Sequence, residues 1–352
     1  MKRVMEKRID WIDIAKGIGI ICIVLGHLGN GKINSIVYTF HVPLFFFLSG
    51  FLLNIEGKTK DFIKKKSKAL LLPYAVTCVL ICVFSIPINI LRHKNWKRAL
   101  SKWIFASFYG SGNKFEEPFF IPAIGAIWFL LALFWGLLFM KVLSCIKKEV
   151  RVCAVFLICG LSVWSVKYLW LPFSIQAGGC ALPFLYLGYM CRQIQPQIEQ
   201  IIHTSSEVKI TASVFFIANW IYAIRNYRGF YLVRAFWGNG ILDFWGSICG
   251  TAVVLIVAKL LSKKRGFLFS MLSGAGKYSL LVMCVHVIEF YFVPWKKIYA
   301  YVQQFVAIPD SNYIIFSISA KAVFIPVVVL IMLKIPLLRF LYGYKVNKKK
   351  KM

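Results

Sequence analysis

Asp13, Lys16, His27 and His41 all lie in the first 41 residues, embedded in sequence that is otherwise strongly apolar. Imidazole is the side chain best suited to moving a proton near neutral pH, so two of them at one depth point to acid–base chemistry. In RIDWIDIAKGIGIICIVLGH, a helix advancing about 100° per residue puts Lys16 and His27 about 20° apart around its axis. Asp13 and His27 fall about 40° apart by the same arithmetic, and Lys16 to His27 spans about 16 Å along the axis. One face thus carries a charged pair at one end and an imidazole at the other. Gly17, Gly19 and Gly26 leave room beside that face for a ligand or another helix.

Simpler roles compete at each position. Asp13 and Lys16 also fit an i, i+3 ion pair at a membrane boundary. For each histidine the competing role is a core imidazole bonded to a neighbour's carbonyl. Ionisable groups inside a membrane are costly, however, and two imidazoles across an eight-residue connection favour function. Further along, GAIWFLLALFW contains Trp128, which fits packing and substrate binding equally. GKYSLLVMCVHVIEF contains His286 and Glu289, spaced i, i+3 to pair on one helix face.

These residues are carried by long apolar runs. The chain has 352 residues, 59% hydrophobic and 16% charged, with mean hydropathy +0.71. A soluble domain is about 45–50% apolar and about 25% charged, and about 20 apolar residues span a bilayer. The expectation is an all-α polytopic membrane protein, a bundle of about ten transmembrane helices. Its spans are 11–28, 37–54, 69–91, 126–144, 152–170, 174–191, 210–224, 237–260, 277–294 and 314–338. With the N-terminus inside, 26 of the 43 Lys and Arg fall in inside segments and 13 in outside ones. Both termini are therefore expected to be cytoplasmic. KTKDFIKKKSK and the tail KVNKKKKM are the strongest anchors. The basic stretch RHKNWKRALSK (92–102) falls outside, against the trend. Trp96, Leu100, Trp103, Ile104 and Phe108 recur there at helical spacing, which suits an interfacial helix. An anionic acceptor, or a miscounted span, would also account for it.

The net charge of +30 belongs to loops beside anionic lipid rather than to a nucleic-acid interface. None of the ten cysteines forms CxxC, and almost all sit in or beside apolar runs, as buried small hydrophobes do. No disulfide framework or metal site is expected. The basic start followed by an apolar stretch lacks a cleavage site and is interrupted by Asp13 and Lys16, so it reads as an uncleaved first helix. SGAGKY (273–278) fails as a P-loop. There is no G-x-S-x-G elbow, no HExxH and no HxxxxD.

RIDWIDIAKGIGIICIVLGH followed by FHVPLFFFLSGFLL resembles the opening of the membrane-bound acyltransferase 3 family, especially its fucose 4-O-acetylase-like branch. IWFLLALFW and KYSLLVMCVH resemble that family's later WFL and YSLxxxxxH patterns. The resemblance covers most of the chain. It implies transfer of an acyl group, usually acetyl, from cytoplasmic acetyl-CoA to a hydroxyl of an extracytoplasmic or lipid-linked glycan. It places His27 at the family's essential first-helix histidine and Lys16 where many members have arginine. Asp13 matches the aspartate before it, His41 the histidine of FHxPLFF, and His286 the later histidine. In this reading His27 and His41 are catalytic, and Lys16 and Asp13 bind the donor. Trp128, His286 and Glu289 bind the acceptor. The expected setting is a bacterial cytoplasmic membrane, with residues 1–352 forming a single integral-membrane domain without the fused extracytoplasmic domain of many relatives. Oligomeric state and acceptor identity are not legible.

Two rivals use the same residues. A transporter for a glycan or small solute would employ the intramembrane His, Lys and Asp as a proton relay, although no inverted repeat is visible. A membrane sensor would bind without turnover. Consumption of acetyl-CoA separates the acyltransferase from both.

Overall fold

The computed structural model describes residues 9–344, and the backbone alone for 201–204. The basic ends 1–8 and 345–352, on which the expected placement of the termini partly rests, lie outside the described residues. The chain is an all-α membrane protein. Its helices run α1 (Asp10–Gly26), α2 (Gly31–Val37), α3 (His41–Phe51), α4 (Thr59–Leu91), α5 (Trp96–Tyr109), α6 (Trp128–Leu143), α7 (Lys148–Ser165), α8 (Ile175–Cys180) and α9 (Leu182–Gln193). They continue as α10 (Gln195–Thr204), α11 (Ser206–Arg225), α12 (Ile241–Ser262), α13 (Phe267–Lys277), α14 (Ser279–Phe292), α15 (Trp295–Val302), α16 (Tyr313–Lys334) and α17 (Pro336–Leu341). Two-residue strands, β1 (Phe230–Tyr231) and β2 (Phe236–Trp237), stand between α11 and α12.

Every expected span overlaps a helix, but fewer reach membrane-crossing length. Among the described residues five segments are long and apolar enough: Gly31–Phe51, Thr59–Leu91, Ser206–Arg225, Ile241–Ser262 and Asp310–Lys334. A sixth arises if α13 and α14, which break at Tyr278, form one span. The shortfall is one of length and charge. α1 has 17 residues, α6 has 16 and α9 has 12, while α7 starts with Lys148, Glu149 and Arg151. KTKDFIKKKSK, expected as an inside loop, forms the first turns of α4, and RHKNWKRALSK, whose apolar recurrence suits an interfacial helix, contributes to α5. The latter is capped by the Asn95 side chain on the Arg98 N–H at 3.0 Å and closed by Gly110 in the left-handed region.

The chain divides into two compact units. Unit 1 comprises residues 1–53, 184–231 and 237–279; unit 2 comprises 54–183, 232–236 and 280–352. In unit 1, α1, α3, α12 and α13 share an apolar core that includes Ile14, Leu44, Leu48, Ala258 and Leu272. α1 meets α13 backbone to backbone. A Cβ on Gly17 would stand 2.0 Å from the Leu272 carbonyl oxygen, and one on Gly276 would stand 1.6 Å from that of Asp13. α3 and α9 repeat the device: Gly50 faces the Leu185 carbonyl at 1.9 Å and Gly188 faces that of Phe47 at 1.9 Å, by the same measure. Small residues permit such close approach between membrane helices. The room at Gly17 is therefore taken by a helix, while Gly19 faces Leu44 and Phe45 side chains and Gly26 faces Val37.

Gly276→Ala is expected to destabilise unit 1 by at least the 1–3 kcal/mol typical of overpacking, because the obstructing atom is backbone and cannot rotate aside. Gly274, two residues earlier, has nothing within 4 Å of its virtual Cβ. Gly274→Ala should leave the thermal midpoint in detergent unchanged within experimental error. Equal midpoints for the two variants would refute the contact.

In unit 2, α6 packs on α8, where Gly178 approaches the Ala132 carbonyl, and α4 packs on α5 and α6. Lys141 is buried in α6. Its Nζ donates to the carbonyls of Ile55 at 2.6 Å and Gly57 at 2.9 Å. It fixes the turn that leads into the basic start of α4. All ten cysteines are free, and Cys145 and Cys153 are exposed, unlike the buried majority expected.

Candidate functional site

α1 carries Asp13 and Lys16, and His27 follows its last residue, Gly26. Asp13 is buried, Lys16 is half-buried, and His27 is half-buried at the C-terminal cap of the helix. His27 Nδ1 lies 2.7 Å from the Ile23 carbonyl oxygen. His41, the first residue of α3, is buried, and its Nδ1 lies 2.5 Å from the Val37 carbonyl oxygen. A carbonyl only accepts, so both Nδ1 atoms carry the proton in these contacts. In the neutral rings the lone pair is therefore on Nε2 in both cases. The carbonyl-bonded role and the proton-accepting role, alternatives in the sequence, are thus compatible: the carbonyl selects the tautomer that a base needs.

Tyr38 joins the two histidine neighbourhoods. It caps α2, donates its hydroxyl to the Gly26 carbonyl at 3.0 Å, and packs its ring 5.1 Å from that of His41. Asn30 sets the start of α2 by accepting from the Ile33 N–H at 3.1 Å. The Trp220 indole N–H donates to Thr39 Oγ1 at 2.9 Å, which ties the α2–α3 turn to α11. Asp13, Lys16, His27 and His41 thus belong to one unit, with Tyr38 as a linking residue that the sequence offers only as one aromatic among many.

Trp128, His286 and Glu289 belong to unit 2. The i, i+3 pair expected on α14 is present, with His286 Nδ1 2.7 Å from Glu289 Oε1. Lys321 of α16 donates to the same oxygen at 2.6 Å, and the Trp295 indole donates to Oε2. His286, Glu289 and Lys321 are all buried. The carboxylate thus takes three donors, and its acceptor position fixes the His286 proton on Nδ1. Lys321 is the residue that sequence reasoning missed. It was visible as a lysine inside an apolar run, the signal that had singled out Lys16. Trp128 is buried at the start of α6, and Gly112 lies against its indole, 2.3 Å from Cγ by virtual Cβ. That contact supplies the packing role for Trp128.

Against known proteins, a family model described as an acyltransferase domain matches residues 9–333. No curated protein matches the chain, and no solved structure does.

Proposed function

Because the chain belongs to the acyltransferase 3 family and is a membrane acyltransferase, we propose that it moves acetyl from cytoplasmic acetyl-CoA to a hydroxyl of an extracytoplasmic or lipid-linked glycan in a bacterial cytoplasmic membrane. The observation that supports this reading is the carbonyl contact of His27 Nδ1 with Ile23, which leaves Nε2 as the basic nitrogen at the C-terminal end of the helix that carries Lys16 and Asp13.

In this scheme CoA is a polyanion whose phosphates sit at the basic inner face. Lys16 contacts the donor and Asp13 orients Lys16. His27 Nε2 takes the proton of the acceptor hydroxyl as its oxygen attacks the thioester carbonyl. The tetrahedral intermediate then breaks its C–S bond, and the CoA thiolate regains the proton from the imidazolium. His41, whose Nδ1–H is committed to Val37, orients the His27 region through Tyr38.

Purified protein in liposomes, supplied with acetyl-labelled CoA and a glycan acceptor, is expected to yield labelled glycan whose label is released by mild alkali, as an O-ester requires. Label that stays in CoA, or that enters the glycan as an alkali-stable amide, would overturn the reading.

A further inference from the structure

We infer that α5 dips into the bilayer beside α4, with its first two turns in the headgroup layer, where they hold anionic phospholipid. Residues 69–91 of α4 carry no charge, and Tyr74 lies about 26 Å before their end at 1.5 Å per residue. Its hydroxyl donates to the Ser107 carbonyl at 2.7 Å, and a Cβ on Gly110 would stand 3.3 Å from the same hydroxyl oxygen. α5 therefore turns back along α4 and ends inside the apolar length of that helix. With 14 residues it is short of the roughly 20 that cross a bilayer, so it enters and stops.

The exposed face of α5 fixes how it stands. Lys97, Arg98, Ser101 and Lys102 are exposed in its first two turns, and Ile104, Phe105 and Phe108 in its last two, Phe108 at 72%. The other face is covered: Ala106 is fully buried, and the Trp103 ring meets that of Tyr291 at 4.7 Å and 69°. A helix lying in the interface plane divides polar from apolar around its axis. Here the exposed face divides along the axis, as a helix entering through the interface requires. From Lys97 to Lys102 the helix rises about 8 Å, close to the headgroup layer's depth of about 5–8 Å. Phe108 lies about 9 Å further on, at the depth of the acyl chains.

Charge selects the lipid. No Asp or Glu occurs between Asp61 and Glu116, and Arg92 and Lys94, in the turn before α5, are exposed with its three cations. Arg92 Nη2 donates to the Phe292 carbonyl at 3.2 Å. That bond brings the start of α15, with exposed Lys296 and Lys297, to the same end of unit 2. Cations set directly above exposed apolar side chains fit a ligand with a phosphate head and a hydrocarbon tail. A soluble polyanion would engage the cations and leave Phe105 and Phe108 uncovered.

The test is fluorescence quenching on the full chain in lipid nanodiscs. A ketone-bearing residue in place of Ser101, Phe105 or Phe108 takes the fluorophore, so the ten free cysteines stay unlabelled. Phosphatidylglycerol and phosphatidylcholine carry the same brominated chains. At position 105 phosphatidylglycerol is expected to quench with about tenfold higher affinity, and the preference should vanish in the Lys97→Gln, Arg98→Gln, Lys102→Gln triple variant. Aqueous acrylamide should quench the label at 101 and spare the one at 108. Equal acrylamide quenching at 101 and 108, no lipid preference in the parent, or a preference that survives in the triple variant overturns the inference. A polyprenyl diphosphate that displaces phosphatidylglycerol from position 105 at equal concentration assigns the surface to a carrier lipid and overturns it as well.

Discussion

The His27→Ala protein is expected to fold and to lose acetyl transfer by about 10²–10⁴-fold, the range that a general base contributes. The two halves of that expectation come from different observations. His27 is half-buried at the end of α1 and makes a bond from Nδ1 to the Ile23 carbonyl at 2.7 Å. Losing one such bond costs about 0.5–1.5 kcal/mol, too little to unfold the chain. The rate loss belongs instead to Nε2, which no other atom of the residue replaces. His27→Asn separates the two roles. Asparagine keeps an N–H within reach of the helix carbonyl but has no basic nitrogen, so it should match alanine in rate and the parent in stability. Turnover within a few-fold of the parent in either variant would remove His27 from the chemistry.

Lys321→Met is expected to cost about 3–5 kcal/mol of stability, because it leaves a buried carboxylate without its cation. Glu289 is fully buried and accepts from Lys321 at 2.6 Å, from His286 at 2.7 Å and from Trp295. Glu289→Gln added to Lys321→Met should recover much of the loss. The amide oxygen can accept from Trp295, and the amide N–H can donate to His286 if the imidazole adopts its other tautomer. The measurement is the denaturation midpoint of the single and double variants in one detergent. A double variant less stable than the single would show that the charge is not the cause.

α1 was legible in the sequence because a helix face follows from spacing alone, and His286–Glu289 because i, i+3 does. α5 was legible from apolar recurrence. Lys321 was not paired with Glu289 because the two are 32 residues apart and a single sequence carries no register between helices. α13 was missed as an element: its 11 residues are short, and its glycines drew notice only as a failed phosphate loop. Their use became visible only against the carbonyls of α1. The expected span 37–54 hid a break at 38–40, where Tyr38 and Thr39 make the bonds that place His41. The count of ten rested on apolar length, which does not distinguish a crossing helix from a short buried one.

The Glu289–Lys321 pair also constrains how the chain is made. α14 has 14 residues, short of the roughly 20 that hold a segment in lipid, and it carries Glu289. α16 is long enough to enter by itself, but with Lys321 unpaired it bears the 2.5–3.5 kcal/mol, in round figures, of a lysine at mid-bilayer. Each helix is a poor guest until the other arrives. During synthesis α14 must therefore wait, sheltered by the insertion machinery or by earlier helices, for the ribosome to deliver α16. The segment from α14 to α16 should enter the membrane as one cooperative event rather than helix by helix.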